Sequence, residues 1–265
     1  MDNRPIGIFD SGVGGLTVFS ELIKALPNED MIYLGDTKQF PYGNKSKDTI
    51  IELTKKNTEF LINKGVKAVV IACGTATSQA LDSVYELYDV PVIGIIEPTV
   101  LSLNKEKPKT IGIMATTGTI RSKTWQLEIK KLMPDAEIIS QACPLLAQMA
   151  EEGWTENDVA RLTIKEYVKA FKSKPVEKLI LGCTHYPLFK KLIEEELGTN
   201  TEIIDTGKKV GSYLETYLKE TKRETVKKTK PVYEFYLTDM ESQFLKVANN
   251  ILQEEIQIKK AKIRI

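Results

Sequence analysis

The 265-residue sequence is poor in the residues that most metal and redox sites require. It has three cysteines, Cys73, Cys143 and Cys183, without C-x-x-C spacing, and one histidine, His185. So few ligands do not make a tetrahedral zinc site, and no metal is expected. Neither sign of charge is in excess, because 37 Lys and Arg stand against 36 Asp and Glu, a formal +1. That balance leaves no electrostatic footprint for nucleic acid or an anionic membrane, and neither is expected as a partner. No apolar run approaches the roughly 20 residues that span a bilayer, and no segment of signal-peptide length precedes Ile6. A soluble cytoplasmic protein with free thiols is the expectation.

What the chain does have is strands alternating with helices. Ile6-Gly7-Ile8-Phe9 stops at Asp10-Ser11-Gly12-Val13-Gly14-Gly15, and Leu16 to Leu26 then carries apolar residues at helical spacing. Met31 to Leu34 reads as a second strand ending at Gly35-Asp36-Thr37. A loop with Pro41-Tyr42-Gly43-Asn44 and a helix through about Asn63 follow. Lys67 to Ala72 forms a strand before Cys73, Thr77 to Tyr88 a helix, and Val92 to Ile96 a fourth strand closed by Glu97-Pro98. Such alternation predicts a parallel sheet covered on both faces.

The pattern then restarts. Ile111-Gly112-Ile113-Met114 with Thr116 to Thr119 echoes the first strand and its turn, and Leu179-Ile180-Leu181-Gly182-Cys183-Thr184-His185 echoes the strand before Cys73. Ile111 lies 105 residues after Ile6, and Cys183 lies 110 after Cys73. Two landmarks in one order at near-equal offset point to two pseudo-symmetric α/β lobes with a cleft between them. Glu202 to Asp205 reads as a strand, Val210 to Leu218 as a helix, and Lys219 to Lys230 as a surface loop. Val232 to Thr238 and Gln243 to Leu252 read as a closing strand and helix. The tail is expected to return to the first lobe, giving residues 1–97 with 208–265 as one domain and 98–207 as the other.

Residues just after the strands are the candidates for chemistry, since open parallel sheets bind ligands at those ends. Helix amino termini there favour anions and are expected to lower a thiol pKa. Either cysteine alone reads more readily as an inert buried thiol than as a functional one, and Cys143, in Ala142-Cys143-Pro144, does so most clearly. Asp10 reads as a helix cap or as a functional carboxylate, and His185 as a core or a functional imidazole. The two matched cysteines together suit inversion of a stereocentre, in which one group takes a proton from one face while its partner supplies one to the other. A dinucleotide reading of Gly12-Val13-Gly14-Gly15 with Asp36 is disfavoured by Thr17 at the third fingerprint position. No arginine follows either cysteine to close a phosphate loop.

Taken together, Asp10 to Thr17, Gly35-Asp36-Thr37 with Pro41-Tyr42-Gly43, Ala72-Cys73-x-Thr75-Ala76, Thr116-x-x-Thr119 and Gly182-Cys183-Thr184-His185-Tyr186-Pro187 resemble the bacterial glutamate racemases, cofactor-independent members of the aspartate/glutamate racemase superfamily. The resemblance implies interconversion of L- and D-glutamate for peptidoglycan, without a cofactor, by a homodimer. It implies that Cys73 deprotonates D-glutamate and Cys183 L-glutamate, with Asp10 supporting Cys73 and with His185 and Glu151 acting near Cys183. Ser11, Pro41, Tyr42, Gly43, Gly74, Thr75, Thr116, Thr119 and Thr184 would line the substrate site. Gly74 stands where the family usually has asparagine; loss of one hydrogen bond to a charged group costs about 1.5–3 kcal/mol unless a backbone N–H replaces it. A racemase of aspartate or another acidic amino acid, and a non-catalytic binding protein for a small anion, are the alternatives.

Overall fold

The computed structural model describes residues 1–240, 242–253 and 255–263. In the first stretch come β1 (Ile6–Asp10), α1 (Gly15–Ala25), β2 (Met31–Gly35), α2 (Lys47–Asn63), β3 (Ala68–Ile71), α3 (Gly74–Ala80), β4 (Val92–Gly94) and α4 (Ile96–Glu106). Next follow β5 (Thr110–Ala115), α5 (Thr117–Ser122), α6 (Thr124–Leu132), β6 (Glu137–Ala142), α7 (Pro144–Glu151), α8 (Asp158–Tyr167), α9 (Lys169–Ser173), β7 (Lys178–Leu181), α10 (Lys190–Leu197) and β8 (Glu202–Ile204). The chain closes with α11 (Thr206–Glu220), β9 (Tyr233–Leu237), α12 (Ser242–Leu252) and β10 (Ile258–Lys260).

Two parallel sheets result, one ordered β10-β9-β2-β1-β3-β4 and the other β6-β5-β7-β8. Every described pairing is parallel. The inner order 2-1-3-4 of the first sheet repeats in the second as 6-5-7-8, so the sequence repeat is a repeat of topology. Strands β1, β2 and β3 are buried along their whole length, as their unbroken Ile, Val, Phe and Leu runs require when helices cover both faces. In each sheet the strand order reverses beside the first strand of the repeat, and the crevice at that reversal is where such sheets take ligands. Cys73 follows β3 and Cys183 follows β7, so each thiol stands at its own sheet's reversal point.

Several local expectations are corrected. Thr77 to Tyr88 is not one helix: α3 starts three residues earlier, directly after Cys73, and gives way at Leu81–Ser83 to a 3-10 turn. Asp82 and Ser83 bond readily to nearby backbone and favour turns over helix interiors. The fourth strand stops at Gly94, and Glu97 and Pro98 open α4 rather than close a strand. Proline is tolerated in a first helical turn, where backbone N–H groups lack partners anyway. No helix among the described residues is long and apolar enough to cross a membrane.

Candidate active site

The carboxyl ends of both sheets face one small cavity of about 20 Å3, room for about one water. Cys73 and Cys183 both line it, with Ser11, Tyr42, Thr75 and Thr184 among its walls. The Cys73 Sγ–H points to Ser11 Oγ at 3.8 Å. Cys183 Sγ lies 3.7 Å from His185 Nδ1, and His185 Nε2 lies 2.7 Å from Glu151 Oε1. The Glu151 carboxylate also accepts the Val13 N–H at 2.7 Å. A carboxylate only accepts, so the His185 Nε2–H donates to Glu151, and Nδ1 faces the Cys183 sulfur. The Gly14 N–H approaches the same Nε2 at 3.3 Å.

The glycine-rich turn makes this approach possible. A Cβ on Gly12 would lie 2.0 Å from Glu151 Oε1, and one on Gly14 would lie 2.5 Å from His185 Nδ1. Glycine at these positions makes room for side chains from the second sheet, and the turn is filled by a histidine and a glutamate rather than by a pyrophosphate. A second close approach joins the two cysteine strands: a Cβ on Gly74 would lie 2.1 Å from the Gly182 carbonyl oxygen.

Asp10 is buried and its oxygens are fully used. Oδ2 accepts from the Gly12 and Gly15 N–H groups at 3.2 and 3.1 Å, and Oδ1 accepts the Thr184 hydroxyl at 3.1 Å. It thus caps α1, as one sequence reading had it, and also reaches across to the Cys183 loop; no direct hydrogen bond runs from it to Cys73. Burial raises its carboxyl pKa to about 6, against the opposing pull of His185 and of the Gly12 N–H. Burial, with the charge of Asp10 second, pushes the Cys73 thiol upward. The expected lowering by a helix terminus is overridden here, because desolvation of a fully enclosed thiolate outweighs what the short α3 supplies. Burial pulls the His185 imidazole down, but the Cys183 sulfur and Glu151 outweigh it and the pKa ends well above the ordinary histidine value.

Of the residues singled out from sequence, Pro41, Gly43, Gly74 and Thr116 also line the cavity. Thr119 stands behind it in a ring of hydroxyls with Thr75 and Thr116, at 2.9, 2.9 and 3.3 Å. Asp10 and Glu151 form the layer outside the wall. Cys143 is buried, donates to the Gln141 carbonyl at 3.6 Å, and is absent from the cavity. Phe40, Ala147 and Gln148 were not anticipated. A signal existed for Gln148, which is three residues before Glu151 on one helix and so shares its face. Among the described residues no group of three or more His, Cys, Asp and Glu could hold a metal ion.

Residues 16–209 match the model of the Asp/Glu/Hydantoin racemase family, well over half the chain. The chain belongs to that family. Membership makes it a racemase, hence an isomerase. Within the racemase family it is 43% identical over 263 residues to a glutamate racemase of Sulfurihydrogenibium sp., covering 98% of this chain and 97% of that one. It is 39% identical over 252 residues to the Geobacter metallireducens glutamate racemase, with 94% and 93% covered. The crystal structure of a Francisella tularensis glutamate racemase in complex with D-glutamate superposes with a TM-score of 0.93 at 40% identity, covering 99% of both chains.

Proposed function

We propose that the protein interconverts L- and D-glutamate by a two-thiol mechanism and supplies D-glutamate for peptidoglycan synthesis in the cytoplasm. The observation that carries this reading is that two cysteines, delivered by equivalent strands of two equivalent sheets, line one cavity. From L-glutamate, Cys183 passes its proton to His185, which Glu151 steadies, and the thiolate removes the Cα proton. The electron pair moves onto the substrate carboxylate as an enediolate. Cys73, held as a thiol by burial and by Asp10, then delivers its proton to the opposite face, and the reverse reaction exchanges the roles. Hydroxyls of Ser11, Thr75, Thr116 and Thr184 and the backbone near Gly43 and Gly74 are placed to receive the substrate's charged groups.

A cavity of about 20 Å3 is far smaller than the roughly 300 Å3 of even a modest ligand pocket. Glutamate therefore enters only when the lobes, read as 1–97 with 208–265 and as 98–207, move apart. That motion breaks the Val13–Glu151 and Thr75–Thr116 hydrogen bonds that now join them. Incubation with L-glutamate in D2O without added cofactor should yield D-glutamate carrying deuterium at Cα. Full racemisation by both Cys73→Ala and Cys183→Ala would overturn the mechanism.

A further inference from the structure

Thr17 stands in the first turn of α1, where a dinucleotide fingerprint would carry glycine or alanine. Its hydroxyl has two carbonyls within reach, that of Gly14 in its own turn and that of Thr184 in the loop after β7, each at 2.9 Å. One hydroxyl proton serves one acceptor at a time. The Gly14 carbonyl already accepts the Thr17 N–H at 3.0 Å, so it does not need the hydroxyl. The Thr184 carbonyl does. Thr184 is buried, and the residue three positions on, which would donate to it in a 3-10 turn, is Pro187 and has no N–H. The Leu188 N–H, one position further, goes to the His185 carbonyl at 3.2 Å. Among the described residues no donor other than the Thr17 hydroxyl reaches the Thr184 carbonyl.

The Thr184 side chain is held from the same direction, since its Oγ1 donates to Asp10 Oδ1 at 3.1 Å. Both polar groups that the residue between Cys183 and His185 presents here are therefore fixed by the turn after β1 and the helix it opens. The Cys73 side is built otherwise. Helix α3 begins directly after Cys73, and the Cys73 carbonyl accepts the Thr77 N–H of that helix at 2.9 Å. Cys73 is held by the helix that follows it, whereas the Cys183 loop is held by residues of the other sheet.

We propose that Thr17 is a positioning residue for Cys183: its hydroxyl, reaching across the cleft, fixes the Thr184 carbonyl and so holds Cys183 against His185, with no equivalent action on Cys73. When the lobes part, the hydroxyl falls back on the Gly14 carbonyl 2.9 Å away, so opening strands no donor. The grip is made on closure. Its removal leaves α1 intact, because Asp10 still accepts the Gly15 N–H and the Gly14 carbonyl keeps its backbone donor.

The directional half of this inference rests on the two-thiol glutamate reading; the placement of Cys183 does not. Thr17→Val keeps the branched shape and removes the hydroxyl, whereas Thr17→Ser keeps the hydroxyl. Thr17→Val should lower kcat about tenfold, the rate equivalent of stranding one buried carbonyl, and Thr17→Ser should restore it, with urea midpoints showing that both fold. A general loss of structure slows both proton transfers alike. A misplaced Cys183 slows its own, so the primary isotope effect on kcat/KM with 2-deuterio-L-glutamate should rise relative to that with 2-deuterio-D-glutamate. Without substrate, alkylation by iodoacetamide, read at each thiol by mass spectrometry, should slow at Cys183 relative to Cys73 in Thr17→Val and not in Thr17→Ser. Parental kcat in Thr17→Val, an unchanged ratio of isotope effects, a Thr17→Ser enzyme as slow as Thr17→Val, or a Thr17→Val protein that does not fold overturns the role. A parent that racemises no glutamate defeats the functional reading instead, and the alkylation ratio then decides the placement, an unchanged ratio overturning it.

Discussion

Replacing Gly74 by alanine adds one methyl group at the seam between the lobes. Its Cβ would stand 2.1 Å from the Gly182 carbonyl oxygen, whereas ordinary contacts begin at 3.4 Å, so the two backbones must separate by about 1.3 Å, the difference. A carbonyl cannot turn aside as a flexible side chain would, because Gly182 leads into Cys183 and its N–H is held by the Met114 carbonyl at 2.8 Å. Overpacking of this kind costs about 1–3 kcal/mol when the structure cannot yield. Here the lobes can yield by staying apart, so the loss should fall mainly on catalysis. A displacement of about 1 Å between reacting groups costs on the order of 100-fold in rate. Polarimetric assay of Gly74→Ala should show kcat reduced by roughly that factor with Tm almost unchanged. Gly74→Asn, which installs the residue usual in the glutamate racemases, should be no better, since the same Cβ meets the same oxygen. A Gly74→Asn enzyme as fast as the parent would refute the seam as described.

Glu151→Gln should lower kcat by about 100-fold, at the low end for a general acid–base step, because a neutral amide no longer steadies a charged His185; proton uptake at Cys183 should suffer more than at Cys73, seen as unequal deuterium washout from the two enantiomers. Lys67→Met should cost about 3–5 kcal/mol in urea unfolding: the ammonium is fully buried, 2.6 Å from Glu29 and within 2.8 Å of the Asp2 and Arg223 carbonyls, and its loss strands a buried carboxylate. Asp10 has a folded pKa of about 6 against an ordinary 3.8. A raised carboxyl pKa gives stability that is present below about 4 and lost as pH rises through about 6, a change of about 3 kcal/mol at 1.36 kcal/mol per unit. Asp10→Asn should remove that loss, so that the parent's urea midpoint falls further between pH 4 and pH 7 than the variant's does. Equal slopes would show that Asp10 is not desolvated.

Strands such as β1, β3 and β7 were legible because a buried parallel strand writes itself as an unbroken apolar run ending in small polar residues, as at Val69 to Thr75 and Leu179 to Thr184, whereas β6 and β10, which are only partly buried, carry no such run and were not anticipated. The candidate site was legible for the same reason, since the residues after those runs converge by topology. What escaped was what depends on approach across the cleft. Nothing local to Gly12, Gly14 or Gly74 says that a glutamate, a histidine and a carbonyl press against them. The direction of the Cys73 shift was missed because burial is a property of the assembled lobes. The helix expected at Thr77 to Tyr88 failed because periodicity alone does not register how Asp82 and Ser83 compete with the helix backbone.

The placement of β9 has a consequence for synthesis. Met31 pairs with Tyr233, so the edge of β2 gains its partner about 200 residues after it is made. Ribosomes add about 5–20 residues per second, which leaves that edge uncovered for about 10–40 s. The second sheet, by contrast, is contiguous from Thr110 to Ile204 and needs nothing from the carboxyl end. The second lobe can therefore finish while the first still waits, and the five-residue β2, wholly apolar apart from its tyrosine hydroxyl and closing glycine, is the segment most exposed to unwanted pairing during that interval.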